Sequence, residues 1–227
     1  FLKKNDLKRF NFYSFSKKLP NKYNRVKGVK YFKGNISNKK FFEKYFKKDI
    51  HHIVNLSGYI NHKKKHENNL FHYVGCKNLV NYFKIKNLKT FIQVGTSLEY
   101  GNQSSPQIEK FNCKPKGSYG QSKYKASKFI EKAGKTHNFP YVILRPYQIY
   151  GPYQKKNRLI PEIIDACLKN KKFKCTHGIQ IRDFLYIDDF VELIKKIITS
   201  KNIKKTIYNV GSGRPVRVKY VINKITS

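Results

Sequence analysis

The sequence contains no methionine, and only 13 acidic residues stand against 49 lysines and arginines in its 227 positions. With phenylalanine at residue 1, the missing methionine makes the recorded chain read as a piece that has lost its beginning. The shortage of acid leaves a formal charge of +36, which alone would invite a nucleic acid or another polyanion as partner. Such binding needs a one-sided basic stripe with interleaved aromatics. The lysines fall instead in scattered pairs, such as Lys39-Lys40, Lys47-Lys48, Lys171-Lys172 and Lys195-Lys196, and never in a block of five. No specific nucleic-acid partner is therefore expected, and most of the charge reads as compositional drift on a solvated surface. Long apolar runs are also missing: none approaches the roughly 18 residues of a membrane span, so no membrane partner is expected. Cys76, Cys113, Cys167 and Cys175 form no CxxC pair and no zinc-ligand spacing. They read as the reduced thiols of a cytoplasmic protein. His62 and His66 could share a helical face, but the three lysines between them oppose a cation, and no metal site is expected.

What is present is enough apolar material for a core, 39% of residues with 15% aromatic, which excludes a disordered basic tail. Phe1 to Lys8 reads as the end of an amphipathic helix, and strands are expected at Phe10–Phe15, Val29–Phe32, Phe91–Val94 and Tyr141–Leu144. A buried run is expected from Ile50 to Leu56, stopped by Gly58. Helices are expected at Lys39–Phe46, Asn68–Lys86, Tyr119–Thr136, Ile160–Leu168 and Phe190–Ile198. Alternating strands and helices predict an α/β fold, a parallel sheet wound on both faces.

Tyr119 and Lys123 lie at i and i+4 at the start of a helix, so they share a face. A phenol with a pKa of about 10 is a poor acid–base group at neutral pH, and a nearby ammonium lowers that value. Just before this helix, Val94-Gly95-Thr96-Ser97-Leu98-Glu99-Tyr100-Gly101 follows a strand. It presents Thr96 at the carboxyl edge of the sheet, where ligands of open α/β sheets bind.

These segments are joined by Leu144-Arg145-Pro146-Tyr147-Gln148-Ile149-Tyr150-Gly151-Pro152, by Arg182-Asp183-Phe184-Leu185-Tyr186-Ile187-Asp188-Asp189 and by Tyr208-Asn209-Val210-Gly211-Ser212-Gly213. In this order the motifs resemble the extended short-chain dehydrogenase/reductases, in the NAD(P)-dependent epimerase/dehydratase branch that acts on nucleotide-sugars. The resemblance implies a Rossmann-like doubly wound sheet with a small, incomplete substrate-binding lobe. Residues 1–152, with 183–205 returning to them, would form the dinucleotide-binding core; 153–182 and 206–227 would form the substrate part. It implies that Tyr119 is the acid–base for a sugar hydroxyl, that Lys123 binds the nicotinamide ribose and depresses the tyrosine pKa, and that Thr96 hydrogen-bonds the reacting oxygen. Asn35 and Ile36 would touch adenine, Leu56-Ser57-Gly58 would form the turn beside the cofactor phosphates, and Pro146 would also line the cofactor. Gln148 and Arg182 would bind the substrate, Arg182 by gripping the diphosphate. The implied cofactor is NAD or NADP, with a lean to NADP because Lys17 and Lys18 stand where an acid would take the ribose hydroxyls. A nucleotide-diphosphate sugar is the implied partner, and a homodimer the implied assembly.

The departures are informative. The family's opening strand and GxxGxxG turn do not occur in the sequence, and the far end stops early, so an internal fragment is expected. His72 stands where the family often has Asn. Sugar 4,6-dehydratases carry an acid one or two places after the threonine, where this chain has Ser97 and Leu98. Glu99, one residue further, falls on a different side of an extended chain. The expected activity is therefore a 4-epimerase or a 4-keto-sugar reductase, with a dehydratase or a non-catalytic dinucleotide-binding relative as the alternatives.

Overall fold

The computed structural model describes residues 10–46, 49–58, 65–200, 203 and 206–227. The helix expected at Phe1 to Lys8 and the ring of His62 lie outside them. Four parallel strands form the central sheet in the order β3 (His52–Asn55), β4 (Thr90–Val94), β5 (Tyr141–Pro146) and β9 (Ile207–Val210). Side chains alternate across it as strand geometry requires. Phe91 and Ile143 point to one face, where they pack with Leu79, Val80, Ala126 and Ile130. Ile92, Val142 and Leu144 point to the other, where they meet Phe190, Ile194 and Ile197. Helices cover both faces: α3 (Gly75–Phe83) and α4 (Gly117–His137) on the first, α6 (Ile187–Thr199) on the second. The parallel sheet wound on both faces that the alternation predicts is observed, in the Rossmann-like arrangement that the resemblance implies.

Several expectations need correction. β1 (Phe12–Ser16) and β2 (Val29–Lys33) pair in parallel with each other as a separate two-stranded sheet. They join the core through side chains, Phe15 stacking on Phe32 and meeting Phe41 of α1 (Lys40–Tyr45) edge-on. The run Ile50–Leu56 is not buried throughout: only Asn55 is fully enclosed, and Leu56 is 67% exposed. The helix expected across Asn68–Lys86 is not uniform. A short α-helical α2 (Lys65–Asn68) passes into a π-helical segment, Asn69–Val74, before α3 resumes the α-helical path. Residues 207–210 pair with β5, so they belong to the central sheet rather than to the substrate part.

Beyond the sheet, β6 (Gln148–Tyr150) pairs in parallel with β8 (Phe184–Tyr186), and β7 (Ile181–Arg182) pairs antiparallel with β10 (Val216–Arg217). Helices α5 (Leu159–Leu168) and α7 (Val218–Thr226) pack together beside them. Among the described residues, no helix is long and apolar enough to cross a membrane, and no group of His, Cys, Asp or Glu side chains could hold a metal ion.

Candidate active site

The carboxyl ends of the parallel strands lie along one edge, and the chain leaves each of them through a residue singled out in the sequence. At the end of β4, Thr96 caps a 3-10 turn, Ser97–Tyr100. Its Oγ1 accepts from the Leu98 N–H at 3.3 Å, and Glu99 Oε1 accepts from the Thr96 N–H at 3.0 Å. This reciprocal capping box fixes the threonine backbone. Gly95 is required beside it, because a Cβ there would lie 2.3 Å from Glu99 Oε1.

Glu99 is thereby explained. Its fully buried carboxylate meets Arg145 Nε at 3.2 Å. Arg145 in turn donates through Nη1 to the Tyr100 hydroxyl at 3.0 Å. That hydroxyl donates to Asn209 Oδ1 on β9 at 2.6 Å. Burial pushes the Glu99 carboxyl above the ordinary carboxylate range, and the Arg145 guanidinium works against that rise. The acid nearest Thr96 is thus a structural anchor that ties the 3-10 turn to β5 and β9.

Tyr119 stands in the first turn of α4, close enough to Thr96 for the threonine side chain to oppose the burial-driven rise of its pKa. The structure therefore brings together two of the three residues expected to do chemistry. Lys123 is 4% exposed and donates to the Val94 carbonyl at 2.7 Å. Burial raises the Tyr119 pKa, with Thr96 and Arg158 opposing the rise and Glu99 adding to it, and Lys123 is not among the groups acting on it. The ammonium is drawn beneath the β4 end, where its electrostatic neighbours are Glu99 and Cys76. Burial brings the Lys123 pKa from 10.5 down to about 8.

This shift carries a stability prediction. Between pH 8 and 10.5 the unfolded chain keeps the Lys123 proton and the folded chain releases it, so stability rises with pH across that window. Comparison with Lys123→Met cancels the opposing titration of the buried Cys76 thiol, whose pKa burial raises to about 12. The wild type should gain on the variant by about 1.4 kcal/mol per pH unit there, measured by urea unfolding. A flat difference would contradict the burial of the charge.

Other expected residues are placed unevenly. Leu56 and Gly58 are exposed and Ser57 half-buried at the end of β3. Asn35 accepts from the N–H and hydroxyl of Ser37 in a local turn at the end of β2. Ile36 is turned into the core, where a Cβ on Gly75 would lie 2.6 Å from its Cδ1. Its side chain is therefore used for packing on α3. Pro146 is buried at the end of β5. Gln148 is exposed on β6 and lines a cleft of about 280 Å³ with Tyr150, Asn157, Arg158 and Phe184. Arg182 is also exposed, but its Nη1 donates to its own neighbour, the Ile181 carbonyl, at 2.7 Å.

Arg158 escaped the sequence reading, and His72 entered it only as a departure from the family. Arg158 lines the Gln148 cleft, and its charge opposes the rise of the Tyr119 pKa. Nothing in the local sequence distinguishes it from other surface arginines. His72, buried in the π-helical segment, meets the Tyr119 ring edge-on at 5.0 Å. It also closes on Gly58, where a Cβ would sit 2.0 Å from its Cε1.

Fold and site together define a class: a two-faced parallel α/β domain with a threonine–tyrosine pair and a buried lysine at the carboxyl edge of its sheet. The sequence model of the NAD dependent epimerase/dehydratase family matches residues 7–211, and the chain belongs to that family. It is 33% identical over 221 residues to a dTDP-D-glucose 4,6-dehydratase of Dictyostelium discoideum, a match covering 86% of this chain and 49% of the relative. The chain thus spans about half the length of that curated relative. The UDP-glucose 4-epimerase of Thermotoga maritima shares the fold with a TM-score of 0.85 at 18% identity, over 94% of this chain and 72% of that one. The dTDP-glucose 4,6-dehydratase of Bacillus anthracis, solved with NAD, gives 0.77 at 24% identity, over 89% and 64%.

Proposed function

We propose that the protein to which this chain belongs is a nicotinamide-dependent nucleotide-sugar oxidoreductase, acting as a 4-epimerase or a 4-keto-sugar reductase. The observation that carries the reading is the proximity of the Thr96 and Tyr119 hydroxyls at the carboxyl edge of the sheet, close enough for the threonine to oppose the rise of the tyrosine pKa. Two hydroxyls held together there can bind one sugar oxygen, with Tyr119 taking or returning its proton and Thr96 fixing its position. The turn at Leu56–Ser57 lies on the same edge, and the Asn35 turn follows the carboxyl end of β2 in the separate two-stranded sheet; both would serve an extended dinucleotide. Exposed Leu56 offers an apolar contact, and Ser57 a hydroxyl beside the phosphates. Lys123 Nζ would reach the ribose from below Val94. When bound, the nicotinamide supplies or accepts the hydride at the sugar carbon. Gln148 and Arg158 in the neighbouring cleft would orient the sugar, and exposed Arg182 would grip its diphosphate.

The Bacillus anthracis structure contains NAD. The lean to NADP rests on Lys17 and Lys18, and the Lys17 ammonium already lies 4.9 Å from the Phe71 ring centroid. NAD is therefore the first cofactor to try. A dehydratase is the second reading, favoured by the 33% identity to the Dictyostelium relative. Against it stand Ser97 and Leu98, which supply no carboxyl beside Thr96, and the engagement of Glu99 with Arg145.

Product analysis separates the readings. The full-length protein, given UDP- or dTDP-hexoses with NAD, or the 4-keto sugars with NADPH, should yield the 4-epimer or the reduced 4-hydroxyl sugar. Formation of a 4-keto-6-deoxy sugar would establish the dehydratase. No conversion of any of them would defeat the proposal.

A further inference from the structure

A buried chain of hydrogen bonds runs beneath the candidate site, from the Lys123 ammonium to the Ser57 turn. The Val94 carbonyl accepts from Lys123 Nζ at 2.7 Å and from Gln93 Nε2 at 3.2 Å. Gln93 Oε1 accepts from Asn55 Nδ2 at 2.8 Å and from the Cys76 thiol at 3.4 Å. Asn55 Oδ1 then accepts from the Ser57 N–H at 3.2 Å and from its hydroxyl at 2.5 Å. Gln93 is 1% exposed, and Asn55 lies directly opposite it in the β3–β4 register.

The chemistry of the amide makes this chain directional. The Gln93 oxygen faces two donors and its nitrogen faces a carbonyl. Turning the amide over would oppose its NH2 group to the Asn55 NH2 group and set its oxygen against the Val94 carbonyl, to which Lys123 still donates. The Asn55 amide is fixed in the same way, nitrogen toward Gln93 and oxygen toward Ser57. Neither side chain can change orientation alone without stranding a buried polar group, which costs about 1–3 kcal/mol.

We propose that Gln93 is a positioning residue that joins the Lys123 ammonium and the Ser57 turn into one hydrogen-bonded unit, so that an event at either is felt at the other. In functional terms the unit would hold the phosphate-side turn and the ribose-side lysine of a dinucleotide site in register. That extension rests on the reading given under Proposed function; the coupling itself does not. A glutamine that merely satisfied the core would contribute to stability alone.

The test reads both ends at once and needs no turnover. Amide hydrogen exchange at Ser57 and the NMR titration of the Lys123 side chain are measured in the wild type, Gln93→Leu, Gln93→Glu and Ile130→Val. Ile130→Val is a core variant distant in chemistry from the hydrogen-bonded chain. Gln93→Leu should accelerate Ser57 exchange by about tenfold beyond the effect of Ile130→Val, the equivalent of one lost hydrogen bond. It should also move the Lys123 midpoint, since Val94 no longer shares its carbonyl. Gln93→Glu keeps the acceptor for Asn55, so Ser57 should stay protected while the added carboxylate moves the Lys123 midpoint upward. If Gln93→Leu does not fold, the split response of Gln93→Glu decides alone. Ser57 protection and Lys123 titration that follow global stability in all variants would overturn the proposal. NAD titrated into the wild type is a separate arm: failure to bind counts against the proposed function and leaves the exchange result standing.

Discussion

Tyr119→Phe should lower turnover of the nucleotide-sugar substrate by about 10²- to 10⁴-fold, the usual worth of a positioned acid–base group. The substitution removes one oxygen and keeps the ring. The edge-on packing against His72 therefore survives, and so does the first turn of α4. What is lost is the hydroxyl beside Thr96, the group proposed to exchange a proton with the sugar oxygen. Dinucleotide affinity, measured by calorimetry on the full-length protein, should change little. The loss should accordingly appear in kcat rather than in KM. Unchanged turnover would remove Tyr119 from the chemistry, whereas a fall in thermal stability of several degrees would make the result uninterpretable as a chemical effect.

Arg145→Met should be the most damaging single change to stability. It leaves the enclosed Glu99 carboxylate without its ion-pair partner and takes the donor from the Tyr100 hydroxyl. Removing one member of a buried pair costs about 3–5 kcal/mol, a large part of the 5–15 kcal/mol that typically separates folded from unfolded domains. The deficit should shrink on acidification. With no guanidinium beside it, the buried Glu99 carboxyl has a folded pKa above its unfolded value, so the folded state gains as the group is protonated and loses as pH rises. Glu99→Gln in the Arg145→Met background should recover most of the loss, because the amide oxygen still accepts from the Thr96 N–H while no charge is buried. Urea unfolding of the two singles and the double at pH 5 and 8 measures this; strict additivity would mean that the pair is not coupled.

The parts of the fold that the sequence made legible are those with a repeating apolar pattern. In β4 and β5 both faces are covered, and the runs Phe91-Ile92 and Val142-Ile143-Leu144 divide between two cores as alternation requires. The short strand Ile207–Val210 has no such run, so only its pairing with β5 assigns it to the central sheet. The π-helical segment was hidden because one extra residue per turn leaves the spacing of Leu70, Phe71 and Val74 compatible with an ordinary helix. In the site, Tyr119 and Thr96 were legible from motif and strand end. The position of the Lys123 charge was not, since i and i+4 spacing names a shared face and says nothing about which carbonyl captures the ammonium. Glu99 did carry a readable signal: Thr96-Ser97-Leu98-Glu99 has the spacing of a capping box, which assigns the acid to the backbone.

The return of β9 to the edge of β5 also bears on how the molecule comes together during synthesis. The hydrogen bond from Tyr100 to Asn209 spans 109 positions, and the pairing of β5 with β9 brackets the whole of β6, α5 and α6. Loop closure over such separations must be met before the contacts reward it. A nascent chain ending before Asn209 holds Arg145 and Tyr100 without the asparagine that completes their network. The carboxyl edge is therefore completed late, when the strand of the central sheet most distant in sequence from Thr96 docks.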